Sequence, residues 1–291
     1  MPKKKTIFDF YTMKRKGEMV TWITAYDAPT AALAEAAGLD MLLVGDSLGM
    51  CVCGYDGTVP VTMEQCLHHT RAVRTGAPNT FVIGDMPFLS YQVSVEEAVR
   101  NAGRFLKEAG ADAIKLEGGV RVVRQIKAIA EAGIVVFGHI GLTPQSSGQL
   151  GGFKAQGRTV EAARLVIQDA IAVQEAGAHC LLVEAVSPEV TRLIHEHLRI
   201  LVYSIGAGPS VDGQLLIVSD LLGIFQAFTP KFVKKYAHLA EEMKRAFSEY
   251  CAEVRSGVFP GPEHVYNMVE GEADKLGELE REMFSAESKG K

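Results

Sequence analysis

Long apolar runs are missing from this 291-residue chain. Asp, Glu or Lys interrupts every hydrophobic stretch before it reaches the roughly 18 residues of a membrane-spanning helix. The start also lacks the apolar core and small-residue cleavage site of a secretion signal. Its Lys3-Lys4-Lys5 run reads as a solvated tail rather than an anchor for an anionic surface. Cysteine is scarce, and five thiols cannot build a dense disulfide framework; their odd number leaves one free. A reducing, cytoplasmic location is expected. Positive charge is not in excess either: 30 basic residues stand against 35 acidic ones, for a formal net charge of -5. No global field exists to recruit a polyanion, so nucleic acid is not an expected partner.

Several cofactor signatures are also absent or incomplete. Gly206-Ala-Gly208 lacks the onward spacing of a dinucleotide fingerprint, and Ser147-Gly-Gln-Leu-Gly-Gly-Phe-Lys154 lacks the ending of a phosphate loop. The second stretch reads instead as a flexible lid. Cys51-Val-Cys53 has no second pair at zinc-site spacing, so those thiols read as structural.

What is present is a soluble-type balance, 47% hydrophobic and 22% charged, enough to bury a large core. A phrase also recurs. Glu35-Ala-Ala-Gly, Glu108-Ala-Gly, Glu131-Ala-Gly and Glu175-Ala-Gly each precede a short apolar run, as when a helix ends on a left-handed Gly and a buried strand follows. Eight strands are expected, at 19–25, 41–45, 80–84, 113–117, 135–139, 180–184, 201–205 and 215–218. Helices are expected between them at 31–37, 63–75, 95–109, 121–132 and 160–176. Continuous apolar strands suit a parallel sheet covered on both faces, and eight such units suit a (β/α)8 TIM barrel better than a doubly wound sheet. Residues 6–17 should form a helix closing the barrel bottom. Residues 231 to about 255 read as one amphipathic helix, ahead of a turn at Pro260-Gly-Pro262. The expectation is a single domain over 1–291: barrel core 18–230, C-terminal helical extension 231–269 and charged tail 270–291.

A barrel carries its chemistry at the C-terminal ends of its strands. Asp46, Asp85, Glu117, His139 and Glu184 occupy that position on five consecutive strands. Any one alone could be a cap or turn former; five together indicate a site. Lys115 and Glu117 are two apart, so both point to the same side of their strand. Adjacent strands lie about 4.8 Å apart, so Asp46, Asp85 and Glu117 can converge as hard oxygen ligands for a cation such as Mg²⁺. Strand six faces strand two across the mouth, which sets Glu184 opposite that site as a general base for a carbon acid.

Val44-Gly-Asp-Ser-Leu-Gly49, Gly84-Asp-Met-Pro-Phe88, Lys115-Leu-Glu-Gly-Gly119, Gly138-His-Ile-Gly-Leu-Thr-Pro-Gln-Ser146, Gly151-Gly-Phe-Lys-Ala-Gln-Gly-Arg158 and Ile205-Gly-Ala-Gly208 run in order along the chain. Together they resemble the ketopantoate hydroxymethyltransferase family from about Thr6 to about Val265. The resemblance implies an enzyme that moves a one-carbon unit from 5,10-methylenetetrahydrofolate to 3-methyl-2-oxobutanoate through a Mg²⁺-stabilised enolate, giving 2-dehydropantoate for pantothenate biosynthesis. It implies one Mg²⁺ per subunit on Asp46 and Asp85, with Glu117 as a third ligand, direct or through water. Asp46, Ser47 and Asp85 would belong to the oxo-acid pocket, Lys115 would hold the substrate carboxylate, and Glu184 would accept the proton. His139 would orient groups or exchange protons beside them. It further implies a homo-oligomer, commonly a decamer, joined through C-terminal segments. The alternative is a related Mg²⁺-dependent 2-oxo acid lyase or mutase. Two features depart from the family pattern: Tyr203-Ser204 where smaller residues are usual, and the charged tail.

Overall fold

The computed structural model describes residues 4–284; Lys3 of the basic run and residues 285–291 of the charged tail lie outside the described residues. The chain divides into two compact units, with the boundary in sequence between His238 and Leu239.

In the first unit, eight parallel strands close in chain order: β1 (Val20–Thr24), β2 (Met41–Val44), β3 (Phe81–Asp85), β4 (Ala113–Glu117), β5 (Val135–Gly141), β6 (Cys180–Glu184), β7 (Leu201–Ile205) and β8 (Gly213–Leu216). β8 pairs with β1, Val20 opposite Gly213, which completes the barrel. This is the expected (β/α)8 architecture, and β2 stands across the mouth from β6.

Alternation along each strand sorts the core into two layers. Trp22, Met41, Phe81, Phe137, Leu182 and Tyr203 fill the barrel, while Ile114, Leu116, Val136, Leu181 and Val202 pack outward against helices. Tyr203, one of the departures from the family pattern, is fully buried here. Its ring lies 5.2 Å from Trp22 and stacks on Phe137 at 6.1 Å with a 10° interplanar angle. Ser204 beside it accepts a hydrogen bond from Ala207 N at 3.0 Å.

The N-terminal helix, Ile7–Lys16, plugs the bottom: Phe10 is buried with its ring edge-on to Phe81 at 5.3 Å, and Tyr11 Oη donates to His179 O. Lys4 and Lys5 of the basic run are each held by an acidic partner instead of standing free, because two acidic groups on the barrel bottom face them. Lys4 pairs with Asp112 at 2.5 Å and Lys5 with Asp40 at 2.7 Å. Elsewhere the outer helices fall where the periodicity predicts them, with small shifts of local origin. The helix Ala28–Ala36 starts three residues early because Asp27 caps it, accepting from Thr30 N at 2.7 Å. β8 ends at Leu216 because Val218 N turns to Thr24 Oγ1, at 3.0 Å, and opens a short helix, Val218–Leu221.

The expected helix from residue 231 begins only at Leu239. Tertiary packing overrides helical propensity over 231–238. Phe232 sits flush on Gly206, where a Cβ would collide with its ring, and Tyr236 N donates to Leu221 O at 2.8 Å. The second unit holds the helices Leu239–Ser256 and Leu276–Phe284, neither of which buries a residue. None of the described helices is long and apolar enough to cross a membrane.

Candidate active site

A cavity of about 520 Å³ opens at the C-terminal end of the barrel, lined by Asp46, Ser47, Asp85, Lys115, Glu117, His139 and Glu184. Every residue expected from the strand ends therefore reaches one space. Asp85, Glu117 and Glu184 end their strands, Asp46 follows β2 by two residues, and His139 lies within β5, two residues short of its end. The parity argument for β4 holds: Lys115 and Glu117 line the cavity while Ile114 and Leu116 pack outward.

Lys115 is the electrostatic centre of this group. Its buried ammonium lies 2.8 Å from Asp85 Oδ1, 3.8 Å from Glu117 Oε1 and 3.3 Å from His139 Nδ1. Burial disfavours its charge, but Asp85, Glu117 and Asp46 outweigh that and hold its pKa above the ordinary lysine value. His139 bridges the two halves of the mouth: Nδ1 lies 3.5 Å from Glu117 Oε1 and Nε2 lies 3.1 Å from Glu184 Oε2. Burial and Lys115 both oppose its protonation; the flanking carboxylates win, and its pKa is pushed up to about 9. Burial likewise opposes the charge on Glu117, but His139 and Lys115 hold it below the usual carboxylate range.

Asp46 and Asp85 behave in the opposite way. Burial and then repulsion from Asp85 and Glu117 raise Asp46 well above its ordinary value. Burial, reinforced by Glu117, also raises Asp85, although Lys115 resists it. Two hard carboxylates that are poorly stabilised in their charged form suit a divalent cation, which would relieve their repulsion. Among the described residues no three His, Cys, Asp or Glu groups close into a ready-made ligand cluster.

Sequence reasoning assigned no role to the scaffold that sets these angles. Gln145 donates through Nε2 to Asp46 Oδ2 at 2.9 Å and through its backbone N to Glu117 Oε2 at 3.0 Å. Tyr91 Oη donates to Gln145 Oε1 at 2.7 Å and accepts from Glu117 N at 3.1 Å. Tyr26 Oη and Ser47 Oγ share a hydrogen bond of 2.8 Å. Gln145 stands in the Thr-Pro-Gln run directly after β5, which could have drawn attention to it. Tyr91 carries no comparable local signal.

Ala185, directly after Glu184, adopts φ +49, a left-handed conformation that costs a non-glycine residue roughly 1–3 kcal/mol. The stretch expected as a lid supplies a helical turn, Ser147–Leu150, and then Phe153, Lys154 and Ala155 to the cavity wall.

The family described as ketopantoate hydroxymethyltransferase matches residues 4–262. A 3-methyl-2-oxobutanoate hydroxymethyltransferase of Alkaliphilus metalliredigens is 67% identical over 270 residues, covering 93% of this chain and 95% of the relative. The chain belongs to the ketopantoate hydroxymethyltransferase family. A second relative of the same name, from Syntrophobacter fumaroxidans, is 53% identical over 280 residues, 96% of this chain and 99% of its own length. Among solved structures, the barrel is similar to a phosphonopyruvate hydrolase complexed with oxalate and Mg²⁺ (TM-score 0.59, 15% identity, 97% of this chain and 100% of that one). It is also similar to 2,3-dimethylmalate lyase, a member of the PEP mutase/isocitrate lyase superfamily (TM-score 0.58, 17% identity, 99% and 100%). At such identities the similarity concerns the fold.

Proposed function

We propose that this family member transfers a hydroxymethyl group from 5,10-methylenetetrahydrofolate to 3-methyl-2-oxobutanoate, giving 2-dehydropantoate, with one Mg²⁺ per subunit at Asp46 and Asp85 and Glu117 reaching it through water. The observation that carries this reading is the position of Glu184: it faces the Asp46–Asp85 pair across one cavity and touches His139 at 3.1 Å. When bound, the cation supplies Lewis-acid stabilisation of negative charge developing on the oxo acid. Lys115 offers a fixed positive charge to the substrate carboxylate, and Ser47 a hydroxyl beside it. Glu184 takes the proton from C3, and His139, 3.1 Å from its Oε2, fixes the orientation of the Glu184 carboxylate. The enolate attacks the one-carbon unit delivered by the folate; water supplies the hydroxyl oxygen and tetrahydrofolate leaves. Gln145 and Tyr91 hold Asp46 and Glu117 in place before substrate arrives, which is the preorganisation such electrostatics require.

Replacing Glu184 by Gln tests the assignment. C3–H exchange of 3-methyl-2-oxobutanoate in deuterium oxide, followed by NMR, should be nearly abolished while oxo-acid binding persists. Near-normal exchange would remove Glu184 from the role. Wild-type protein that neither exchanges C3 nor forms a folate-dependent product would instead favour a lyase or mutase of the same barrel type.

We also propose that the second unit serves self-association into a homo-oligomer, a decamer by family resemblance. In support, Met243, Phe247, Tyr250 and Val254 are all exposed on the helix Leu239–Ser256. Sedimentation of the full chain against Phe247→Glu checks this, since a monomeric wild type would contradict it.

A further inference from the structure

The cavity is chemically divided. The elements after β2 to β6 supply the ionisable half, whereas Ile205, Leu215, Ile217, Phe225, Phe228 and Phe232, from β7 onward, supply an apolar half. Phe225 and Phe228 meet edge to face at 5.4 Å, and Phe228 is about half exposed at the mouth. Nothing in the oxo-acid chemistry calls for such a wall, but a flat heterocycle does, because aromatic faces and edges recognise planar rings.

Two charged groups, Asp220 and Lys231, interrupt the apolar half, and of these only the lysine comes from the segment after Phe228. Asp220, on the short helix after β8, lines the cavity and is 7% exposed. Among the described residues no donor and no ion pair reaches its carboxylate. Burial outweighs the field of Lys235 and lifts its pKa to about 6. A desolvated carboxylate without partners is costly unless something supplies hydrogen bonds. A second polar atom lining the cavity is in a similar state: Thr58 Oγ1, in the connection after β2 and on a residue 3% exposed, has no hydrogen-bond partner. Two partnerless polar groups lining a cavity with an aromatic wall have the composition of a ligand pocket, mostly apolar with a few oriented polar groups.

We propose that Asp220 receives the ring N–H and exocyclic amino group of the folate's 2-amino-4-oxopteridine, with Phe225 and Phe228 covering the ring and Thr58 taking a further polar atom of it. The assignment rests on the hydroxymethyl-transfer reading above. The chemistry that selects this ligand is the donor fork: two adjacent N–H groups on a planar ring match the two oxygens of a carboxylate, as a guanidinium does. Position agrees, because β8 lies opposite β4 in the closed barrel. A ring anchored beyond β8 therefore extends its one-carbon end toward the space between Glu184 and Asp85. Asp220 thus acts as a specificity-determining residue for the carrier and takes no part in proton abstraction.

The test uses full-length protein saturated with Mg²⁺ and 3-methyl-2-oxobutanoate, into which tetrahydrofolate is titrated calorimetrically. Asp220→Asn should weaken tetrahydrofolate at least tenfold and raise KM for 5,10-methylenetetrahydrofolate similarly. C3–H exchange, which needs no folate, should change less than threefold and so reports that the variant is folded. A tetrahydrofolate analogue lacking the 2-amino group should bind wild type at least tenfold more weakly than tetrahydrofolate, yet bind Asp220→Asn with little further loss. Wild-type affinity in the variant, or equal losses in exchange and folate binding, overturns the assignment while leaving the transferase reading intact. Wild-type protein that exchanges C3 but binds no tetrahydrofolate overturns both.

Discussion

Gly141→Ala is the perturbation that probes the seat of the base most sharply. Gly141 closes β5 at φ +89 and is paired in register with Glu184, whose carbonyl accepts from Leu142 N at 2.9 Å. A Cβ at this position would lie 2.6 Å from Val186 Cγ2 and closer still to Glu184 O, whereas real Cβ atoms do not approach within 3.0 Å. The backbone carrying Glu184 must therefore retreat by several tenths of an ångström or more. The left-handed conformation costs alanine about 1–2 kcal/mol, and the overpacking adds about 1–3 kcal/mol. A misplacement approaching 1 Å costs about 10²-fold in rate, so kcat should fall between about 10-fold and 100-fold. Gly138→Ala is the matched control. Its Cβ would meet Val173 on the outer helix Val160–Glu175, away from the cavity. Urea unfolding should show comparable destabilisation for the two variants, and turnover should fall much further in Gly141→Ala. Equal turnover in both, or near-wild-type turnover in a folded Gly141→Ala, would refute the claim that Glu184's backbone position governs catalysis.

Three further outcomes follow from the geometry. Lys115→Met strands Asp85 and Glu117 without their shared cation, so the metal-free protein should lose about 3–5 kcal/mol in urea unfolding; a loss below about 1 kcal/mol would show that the pair is not coupled. Phe10→Ala, which opens the plug beneath Phe81, should cost about 3–5 kcal/mol with kcat little changed. Asp212 accepts from Lys14 at 2.7 Å and lies 2.9 Å from His195; although burial opposes its charge, the His195 and Lys14 contacts hold its pKa below the usual range. A depressed carboxylate stabilises the fold above its unfolded pKa, about 3.9, and that contribution is lost as pH falls through the lower folded value. Asp212→Asn should therefore be less stable than wild type at pH 6, and the gap should narrow on acidification below about pH 4; a gap independent of pH would contradict the pairing.

The barrel is legible in the sequence because its signals are local. The Gly that ends a helix and the apolar run after it recur in four of the eight units, and the two-residue period of a strand sends Lys115 and Glu117 to one side whatever surrounds them. Glu184 is legible for the same reason, once strand six is known to face strand two. Gln145 and Tyr91 are not, since their 2.7 Å contact joins residues 54 apart in sequence, and only the closed loops bring them together. Helical periodicity over 231–238 misleads because the seat of Phe232 on Gly206 is a tertiary contact that outweighs local propensity. Asp220 escapes notice because a lone Asp near a strand end resembles a helix cap until its empty surroundings are seen.

The most direct test of the whole account is the product itself. The protein, 3-methyl-2-oxobutanoate, 5,10-methylenetetrahydrofolate and Mg²⁺ should together yield 2-dehydropantoate and tetrahydrofolate, detectable by mass spectrometry. Chelation of the metal should stop product formation and added Mg²⁺ should restore it. Product formed at the same rate without folate or under chelation, or none formed with every component present, would contradict it.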